Sequence, residues 1–261
     1  MSEDPDLFGE TNVQRSIDLI RQWEPEALAM HPSGYHVGFS GGKDSIVTLA
    51  LVRMAGVKHT ATYSVTGMEP EVHRFIAEHY PEVEMRRPKL SFYQLIHKKG
   101  LPTRRFRFCC AEIKEVAGNG RFIVTGVRSE ESPRRANRPV VEACAKRHSM
   151  FIHPIKGWTS AEVWAFIWSQ GLAYPALYDE GFKRLGCVVC PFERNKARSI
   201  ARWPQLWRAV ERAAHRRYEI RADHGYREKY RSAEGYWQWW LSGAAAKPDP
   251  DQCTMFEGGS E

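Results

Sequence analysis

The stretch Tyr35-His-Val-Gly-Phe-Ser-Gly-Gly-Lys-Asp-Ser-Ile46 decides the fold of this 261-residue chain. Its middle, Ser40–Ser45, joins a strand-like run, Tyr35–Phe39, to an apolar helical run, Ile46–Met54. Two adjacent glycines permit a tight turn whose backbone N–H groups face an anion, and the start of a helix adds partial positive charge at the same place. Lys43 supplies a full positive charge, and the serines supply hydroxyl donors. The stretch therefore predicts a phosphate-binding loop, whose spacing differs from that of a Walker A motif.

Strand-like and helical runs alternate on the C-terminal side of this phosphate loop. The strand-like runs are His59–Val65, Val83–Arg86 and Arg121–Val127, and Glu71–Tyr80 has a helical pattern. Such alternation is typical of an α/β fold, in which helices cover both faces of a parallel sheet. We therefore predict a parallel sheet flanked by helices.

Helices are also predicted towards both ends of the chain. Apolar spacing predicts a first helix over Val13–Ala29. Thr159–Glu162 resembles a capping box before a helix over Val163–Gln170, and a long helix is expected from about Ser199 to Ala222. The predicted organisation is an N-terminal helix in residues 1–30, a nucleotide-binding and cysteine-bearing domain in 31–192, a basic helical region in 193–242 and a flexible tail in 243–261.

Composition excludes several classes of protein. The chain has 38 Lys+Arg against 31 Asp+Glu, a formal net charge of +7, and its 12% aromatic residues argue against sustained disorder. No stretch reaches the roughly 18 apolar residues that a membrane-spanning helix needs. The acidic start, Met1-Ser-Glu-Asp, lacks the apolar core of a secretory signal. A cytoplasmic location without a membrane partner is expected.

Four of the six cysteines form two close pairs. The first cysteine pair is Cys109 and Cys110, and the second is Cys187 and Cys190. In a reducing cytoplasm structural disulfides are rare, so two tight pairs indicate a metal or cluster site. The isolated Cys144 fits a buried apolar role better.

The phosphate loop resembles the Ser-Gly-Gly-x-Asp-Ser loop of the PP-loop ATP pyrophosphatase superfamily. Four further segments resemble its phosphoadenosine phosphosulfate reductase-like family: Thr66-Gly-Met-Glu-Pro70, Arg105-Phe-Arg-Phe-Cys-Cys-Ala-Glu-Ile-Lys114, Gly126-Val-Arg-Ser-Glu-Glu-Ser132 and His153-Pro-Ile-Lys-Gly-Trp-Thr-Ser-Ala-Glu-Val-Trp164. The resemblance implies an adenine nucleotide α-hydrolase-like fold. It also implies that an acceptor oxygen attacks the α-phosphate of ATP, that pyrophosphate leaves, and that Mg²⁺ assists.

The resemblance also implies which residues form the site. The catalytic candidates are Lys43, Asp44 and Arg128. The nucleotide-binding candidates are Ser40, Gly41, Gly42, Lys43, Asp44, Ser45, Thr66, Gly67, Glu69, Gly126 and Arg128. Arg134 and Arg135 are further candidates for holding a phosphate or sulfate group, since guanidinium groups suit tetrahedral oxyanions. A solvated surface role is the alternative for each arginine.

The two cysteine pairs resemble the [4Fe–4S] signature of adenylylsulfate reductases and the cysteine set of the ATPase component of DNA phosphorothioation systems. Cys109, Cys110, Cys187 and Cys190 are then the cluster ligands, and Lys114, Arg107 and Arg184 favour the anionic cluster by their charge. Tetrahedral zinc and free thiols are the alternatives. Adjacent cysteines reach two irons of a cluster more readily than one small ion.

The family divides according to one further cysteine. Sulfonucleotide reductases carry a nucleophilic cysteine near the C-terminus in a Glu-Cys-Gly-Leu-His setting, whereas Cys253 lies in Asp251-Gln-Cys-Thr-Met-Phe256. We therefore favour an ATP-dependent enzyme of sulfur transfer that adenylates an acceptor such as DNA. A partner cysteine desulfurase is implied by the resemblance to phosphorothioation ATPases. The alternatives are an adenylylsulfate or phosphoadenylylsulfate reductase, and a non-catalytic nucleic-acid-binding or redox-sensing module.

The C-terminal region is strongly basic. Between Arg194 and Arg231, twelve Lys and Arg residues stand against four acids. Spacing of four places Arg208, Arg212 and Arg216, here called the basic stripe, on one helix face. The stripe suits nucleic-acid phosphate or is a solvated face. A second face, formed by Trp203, Trp207, Val210, Ala214 and Tyr218, is expected to pack in the core.

A short segment of the tail suggests one further partner. Gln252–Phe256 resembles the short peptides that dock on the bacterial DNA sliding clamp. Chance is the alternative for so short a match.

Overall fold

A computed structural model describes residues 11–67, 69–193 and 195–243 of the chain. A six-stranded sheet lies at its centre, in the order β3-β2-β1-β4-β6-β5. The strands are β1 Tyr35–Gly38, β2 His59–Ser64, β3 Glu84–Arg86, β4 Phe122–Val124, β5 Val141–Cys144 and β6 Ser149–Ile152. Five strands run parallel, and β5 pairs antiparallel with β6 at the edge.

Helices surround the sheet and form the C-terminal region. They are α1 Asn12–Gln22, α2 Glu24–Met30, α3 Lys43–Ala55, α4 Pro70–His79, α5 Phe92–Lys99, α6 Pro133–Ala136, α7 Ser160–Ser169, α8 Lys196–Arg202, α9 Pro204–Arg221, α10 Arg227–Tyr230 and α11 Ala233–Leu241. None of these described helices meets the length and apolarity that a membrane span requires.

The sheet confirms the predicted α/β fold and departs from it at one edge. The four predicted strands are present as β1 to β4, whereas β5 and β6 are additional. The turn between them passes through His148, which has a positive φ of 49°. Because this short turn reverses the chain, the edge pair is antiparallel and the sheet is mixed rather than wholly parallel.

Two predicted helices are each divided in the structure. The helix expected over Val13–Ala29 becomes α1 and α2, which meet at Trp23, and Pro25 occupies the first turn of α2. The long helix expected from Ser199 likewise divides at Trp203, before Pro204 opens α9. Proline lacks a backbone N–H donor, so it starts a helix readily and interrupts one that is already running.

One hydrophobic core joins the sheet to the C-terminal helices. The expected face of Trp203, Trp207, Val210, Ala214 and Tyr218 is buried in the same core as the central strands and α3. The indole N–H of Trp240 donates to the carbonyl of Pro102 over 2.5 Å. This hydrogen bond fixes α11 against the segment that leads to the first cysteine pair.

Candidate functional site

The phosphate loop lies between the end of β1 and the start of α3. Gly41 adopts a positive φ of 73°, and a Cβ atom there would lie 2.8 Å from Val72. The Ser45 hydroxyl donates to the carbonyl of Gly42 over 2.8 Å and lies 3.1 Å from the Ser40 hydroxyl. Glycine is therefore needed here for a tight turn at a helix N-terminus, as predicted, and the two serine hydroxyls, predicted as donors to phosphate, form hydrogen bonds within the turn.

Three charged side chains meet at this turn. The buried ammonium of Lys43 lies 2.8 Å from Asp44, whose carboxylate also accepts a hydrogen bond from Nε of Arg128 over 2.7 Å. Nη1 of Arg128 lies 2.5 Å from Glu130 and 3.2 Å from the carbonyl of Trp158. Burial alone would lower the pKa of Arg128, but the carboxylates, with Asp44 foremost, raise it. The structure thus brings the three predicted catalytic residues together.

Gly126 is needed for this arrangement because it lies against the first turn of α3. A Cβ atom at Gly126 would approach the Asp44 carbonyl to 2.8 Å. The glycine therefore lets the strand that precedes Arg128 reach α3 closely.

Tyr178 adds a contact that the sequence did not indicate. Its hydroxyl accepts a hydrogen bond from the backbone N–H of Lys43 over 2.9 Å, at the open end of α3. The Trp164 ring meets the Tyr178 ring edge-on at a centroid distance of 5.0 Å. Burial raises the pKa of Tyr178, so the phenol stays neutral. No local signal marks this tyrosine, because only the fold places residue 178 beside residue 43.

The Thr66, Gly67 and Glu69 segment contacts the second cysteine pair. The Thr66 hydroxyl lies 3.6 Å from Sγ of Cys187, and the carbonyl of Gly67 accepts from the N–H of Val188 over 2.8 Å. The buried Glu69 carboxylate accepts from the N–H of Gly186 over 3.0 Å. Burial raises the pKa of Glu69 to about 7. These three predicted nucleotide-binding residues therefore hold the loop that carries Cys187.

The two cysteine pairs come together from distant parts of the chain. The hydrogen bond between Cys109 and Cys110 raises the pKa of Cys109 well above its usual value. Burial and the charges of the other three cysteines raise it further. Burial also raises the pKa of Cys190 to about 12. Burial alone would lower the pKa of Lys114, but the thiols, with Cys187 foremost, raise it above its usual value.

The four clustered thiols are suited to binding a positively charged metal centre. Four adjacent thiols resist losing their protons together, and a bound iron or zinc centre would offset that repulsion. The wide π-type turn Cys110–Lys114 directs Lys114 to the same place, where it hydrogen-bonds Cys187. The donor set is suited to a [4Fe–4S] cluster or to zinc.

The remaining arginine and cysteine candidates lie in different environments. Arg135 is buried and pairs with Glu131, whereas Arg134 and Arg184 are exposed. Cys144 is buried at the end of β5, in agreement with its expected apolar role.

The basic stripe is exposed along α9, as its spacing predicts. Other basic residues of the region have structural contacts instead. Arg202 pairs with Glu71 and Glu180, and Arg217 donates to the carbonyl of His97 over 2.8 Å. Cys253 and the Gln252–Phe256 segment lie outside the described residues.

The fold and site define a class of protein: an α/β domain with a glycine-rich turn at the start of α3 and four cysteines brought together from two parts of the chain. A family model, the phosphoadenosine phosphosulfate reductase domain, matches residues 34–193. The chain belongs to this family, as the motifs indicated.

Individual relatives share part of the chain. It is 30% identical over 257 residues to an uncharacterized protein of Methanocaldococcus jannaschii, covering 87% of this chain and 52% of the relative. It is 31% identical over 192 residues to a phosphoadenosine 5'-phosphosulfate reductase of Gloeobacter violaceus, covering 65% of this chain and 79% of that protein. A solved phosphoadenylyl-sulfate reductase of Candida auris, in a phosphate complex, overlaps with a TM-score of 0.47 at 18% identity, over 72% of this chain and 98% of that one. The chain thus spans about half the length of the M. jannaschii relative.

Proposed function

We propose that this protein is an ATP-dependent sulfur-transfer enzyme that carries a [4Fe–4S] cluster and adenylates an acceptor, of which DNA is the candidate. The contact between Thr66–Glu69 and Gly186–Val188 is the observation that carries the proposal. It ties the loop bearing the second cysteine pair to the segment that follows β2. On this proposal, one centre for phosphate chemistry and one for sulfur chemistry lie within the same core.

The phosphate loop suits cleavage of ATP between its α- and β-phosphates. An acceptor oxygen forms a bond to the α-phosphorus, the α–β anhydride bond breaks, and pyrophosphate leaves with the electron pair. The charges of Lys43 and Arg128 stabilise the negative charge that develops on the phosphate oxygens. Asp44 holds both cations in place and would ligate Mg²⁺, which when bound neutralises further phosphate charge.

The cysteine centre suits the sulfur half of the reaction. The two pairs would hold the cluster, which when bound supplies a site for one-electron chemistry. Lys114 would balance its negative charge. These features support a resident cluster, and the adjacent Cys109 and Cys110 favour it over zinc.

A sulfur donor completes the reaction. We propose a partner cysteine desulfurase that delivers a persulfide. The terminal persulfide sulfur bonds to the activated atom, AMP leaves with the acceptor oxygen, and a thiol reductant cleaves the remaining S–S bond. The exposed basic stripe supports DNA as the acceptor, since three arginines on one helix face match the charge of a phosphate backbone.

Pyrophosphate release tests the ATP half of the proposal. Anaerobically purified protein with ATP, Mg²⁺ and DNA should release pyrophosphate rather than orthophosphate. Lys43→Ala should abolish that release, whereas Lys58→Ala, which removes an exposed lysine, should leave it unchanged. Absence of pyrophosphate from the wild-type protein, with and without DNA, contradicts an adenylating enzyme.

A reductase is the second candidate, favoured by the family and by the relative from Gloeobacter violaceus. It needs an accessible nucleophilic thiol besides the four clustered ones, and the remaining cysteine of the described residues, Cys144, is buried. That role therefore falls to Cys253. Sulfite release from adenylylsulfate with thioredoxin, lost in Cys253→Ser, would identify a reductase. Salt-sensitive DNA binding with no turnover of either nucleotide would indicate a binding module.

A further inference from the structure

An exposed phenylalanine stands among arginines next to the cysteine centre. Phe106 is 53% exposed, although it contacts the buried Phe108 ring at 5.6 Å. A turn fixes it, because its N–H donates to the Thr103 hydroxyl over 3.0 Å while its carbonyl accepts from the N–H of Thr103 over 3.1 Å. The Phe106 ring is therefore exposed because an ordered turn directs it outward. Arg105, beside it, is exposed as well.

A second segment completes this surface. The guanidinium of Arg104 lies 5.5 Å from the centre of the Phe192 ring, and its Nε donates to the carbonyl of Pro191 over 3.3 Å. Arg107 approaches the same ring at 5.3 Å. We call Arg104, Arg105, Phe106 and Phe192 the arginine–phenylalanine surface. Its two parts come from the segments on either side of the cysteine centre.

The surface is close to all four thiols because each part adjoins one cysteine pair. Phe106 precedes Cys109 by three residues, and Phe192 follows Cys190 by two. Since an extended residue spans at most about 3.6 Å, the Cα atoms of Phe106 and Cys109 are separated by no more than roughly 11 Å. A base lying on Phe106 would therefore be next to the cysteine centre.

We propose that this surface binds an unpaired nucleotide of the DNA acceptor, with its base stacked on Phe106 and its phosphate beside Arg105. Aromatic rings bind bases of any sequence by stacking, and arginine supplies the matching charge for the backbone. The proposal rests on the proposed function for its choice of DNA. It adds the form of the acceptor, a single strand, and its place beside the thiols.

The test measures DNA binding without ATP, so that it is independent of turnover. Anisotropy of a labelled single-stranded 12-mer is recorded with the anaerobically purified full chain. Phe106→Ala should weaken binding roughly 5- to 150-fold, the usual range for losing one stacked base, and Phe106→Tyr should restore it. Trp168→Ala, which removes another exposed aromatic ring, should have no effect.

Salt dependence tests the phosphate contact. Arg105→Ala should reduce the slope of log affinity against log salt by about 0.7, the value for one phosphate of a single strand, whereas exposed Arg74→Ala on α4 should not. Equal binding by wild type and Phe106→Ala overturns the proposal. So does equal dependence on Phe106 for an RNA 12-mer or for duplex DNA. Loss of binding in Phe106→Ala from a protein that releases no pyrophosphate supports the surface while contradicting the proposed turnover.

Discussion

Nε of Arg128 lies 2.7 Å from Oδ1 of Asp44, so a residue just after β4 is locked to the first turn of α3. Arg128 is buried and forms this pair where the phosphate loop leads into α3. Its guanidinium also reaches Glu130 and the carbonyl of Trp158. One planar group with several fixed donors therefore joins three segments, which an ammonium group has no means to do.

Replacing Arg128 should affect both stability and turnover. We expect Arg128→Met to lower the free energy of unfolding by roughly 1.5–3 kcal/mol, the usual value of a hydrogen bond to a charged group, because Asp44 keeps Lys43 but loses the second of its two cationic partners. Pyrophosphate release should also fall, since a phosphate-facing charge is lost. Urea unfolding and pyrophosphate assays measure the two effects, with Arg74→Met as control. A variant as stable and active as wild type would contradict both roles.

Removing the Tyr178 hydroxyl should free a backbone donor for phosphate. The phenol accepts from the Lys43 N–H, which a nucleotide phosphate would otherwise use. We expect Tyr178→Phe to lower stability by about 1 kcal/mol, the usual net value of a hydrogen bond, and to tighten ATP binding by up to about 5-fold. Equilibrium binding of ATP provides the measurement. Weaker ATP binding would show instead that the hydroxyl itself holds the nucleotide.

The cysteine variants should separate cluster ligands from the buried thiol. Anaerobically purified wild-type protein should show the broad visible absorbance of an iron–sulfur cluster and contain iron and sulfide. Cys187→Ala should lose these signals, and Cys144→Ala should retain them because that thiol lies apart in β5. Stoichiometric zinc in place of iron would overturn the cluster assignment.

Stability should fall in acid because His36 is buried in β1. Burial, reinforced by Arg121 and Arg86, lowers the pKa of His36 from 6.5 to about 4. The folded protein therefore binds this proton less readily than the unfolded chain. The stabilisation is complete above pH 6.5 and is lost as the pH falls towards 4, by on the order of 3 kcal/mol.

Urea unfolding between pH 7 and pH 4 measures this effect. His36→Gln should have a shallower pH dependence than wild type, whatever its stability at neutral pH. His224→Gln, which changes an exposed histidine, should follow the wild-type curve. Parallel curves for wild type and His36→Gln would refute the prediction.

Local patterns were sufficient for much of the molecule. Six neighbouring residues are enough to recognise the phosphate loop, because its glycines permit a tight turn before a helix and its serines supply hydroxyl donors. The capping box is equally local. The Glu162 N–H donates to the Thr159 hydroxyl over 3.2 Å, and the Thr159 N–H donates to the Glu162 carboxylate over 2.6 Å. The strand β6 was not predicted because Met150, Phe151 and Ile152 form a continuous apolar run, which periodicity alone does not distinguish from a helical segment.

By itself the sequence determined the phosphate loop, the α/β alternation and the two cysteine pairs, because each depends on residues that are neighbours along the chain. Only the tertiary structure decided that Asp44 pairs with Arg128, that Tyr178 meets the Lys43 N–H, and that Thr66 contacts Cys187. The physical reason is that these contacts join residues far apart in sequence. Parallel strands and their crossover helices bring such residues to one edge of the sheet, and no local propensity encodes which side chains meet there.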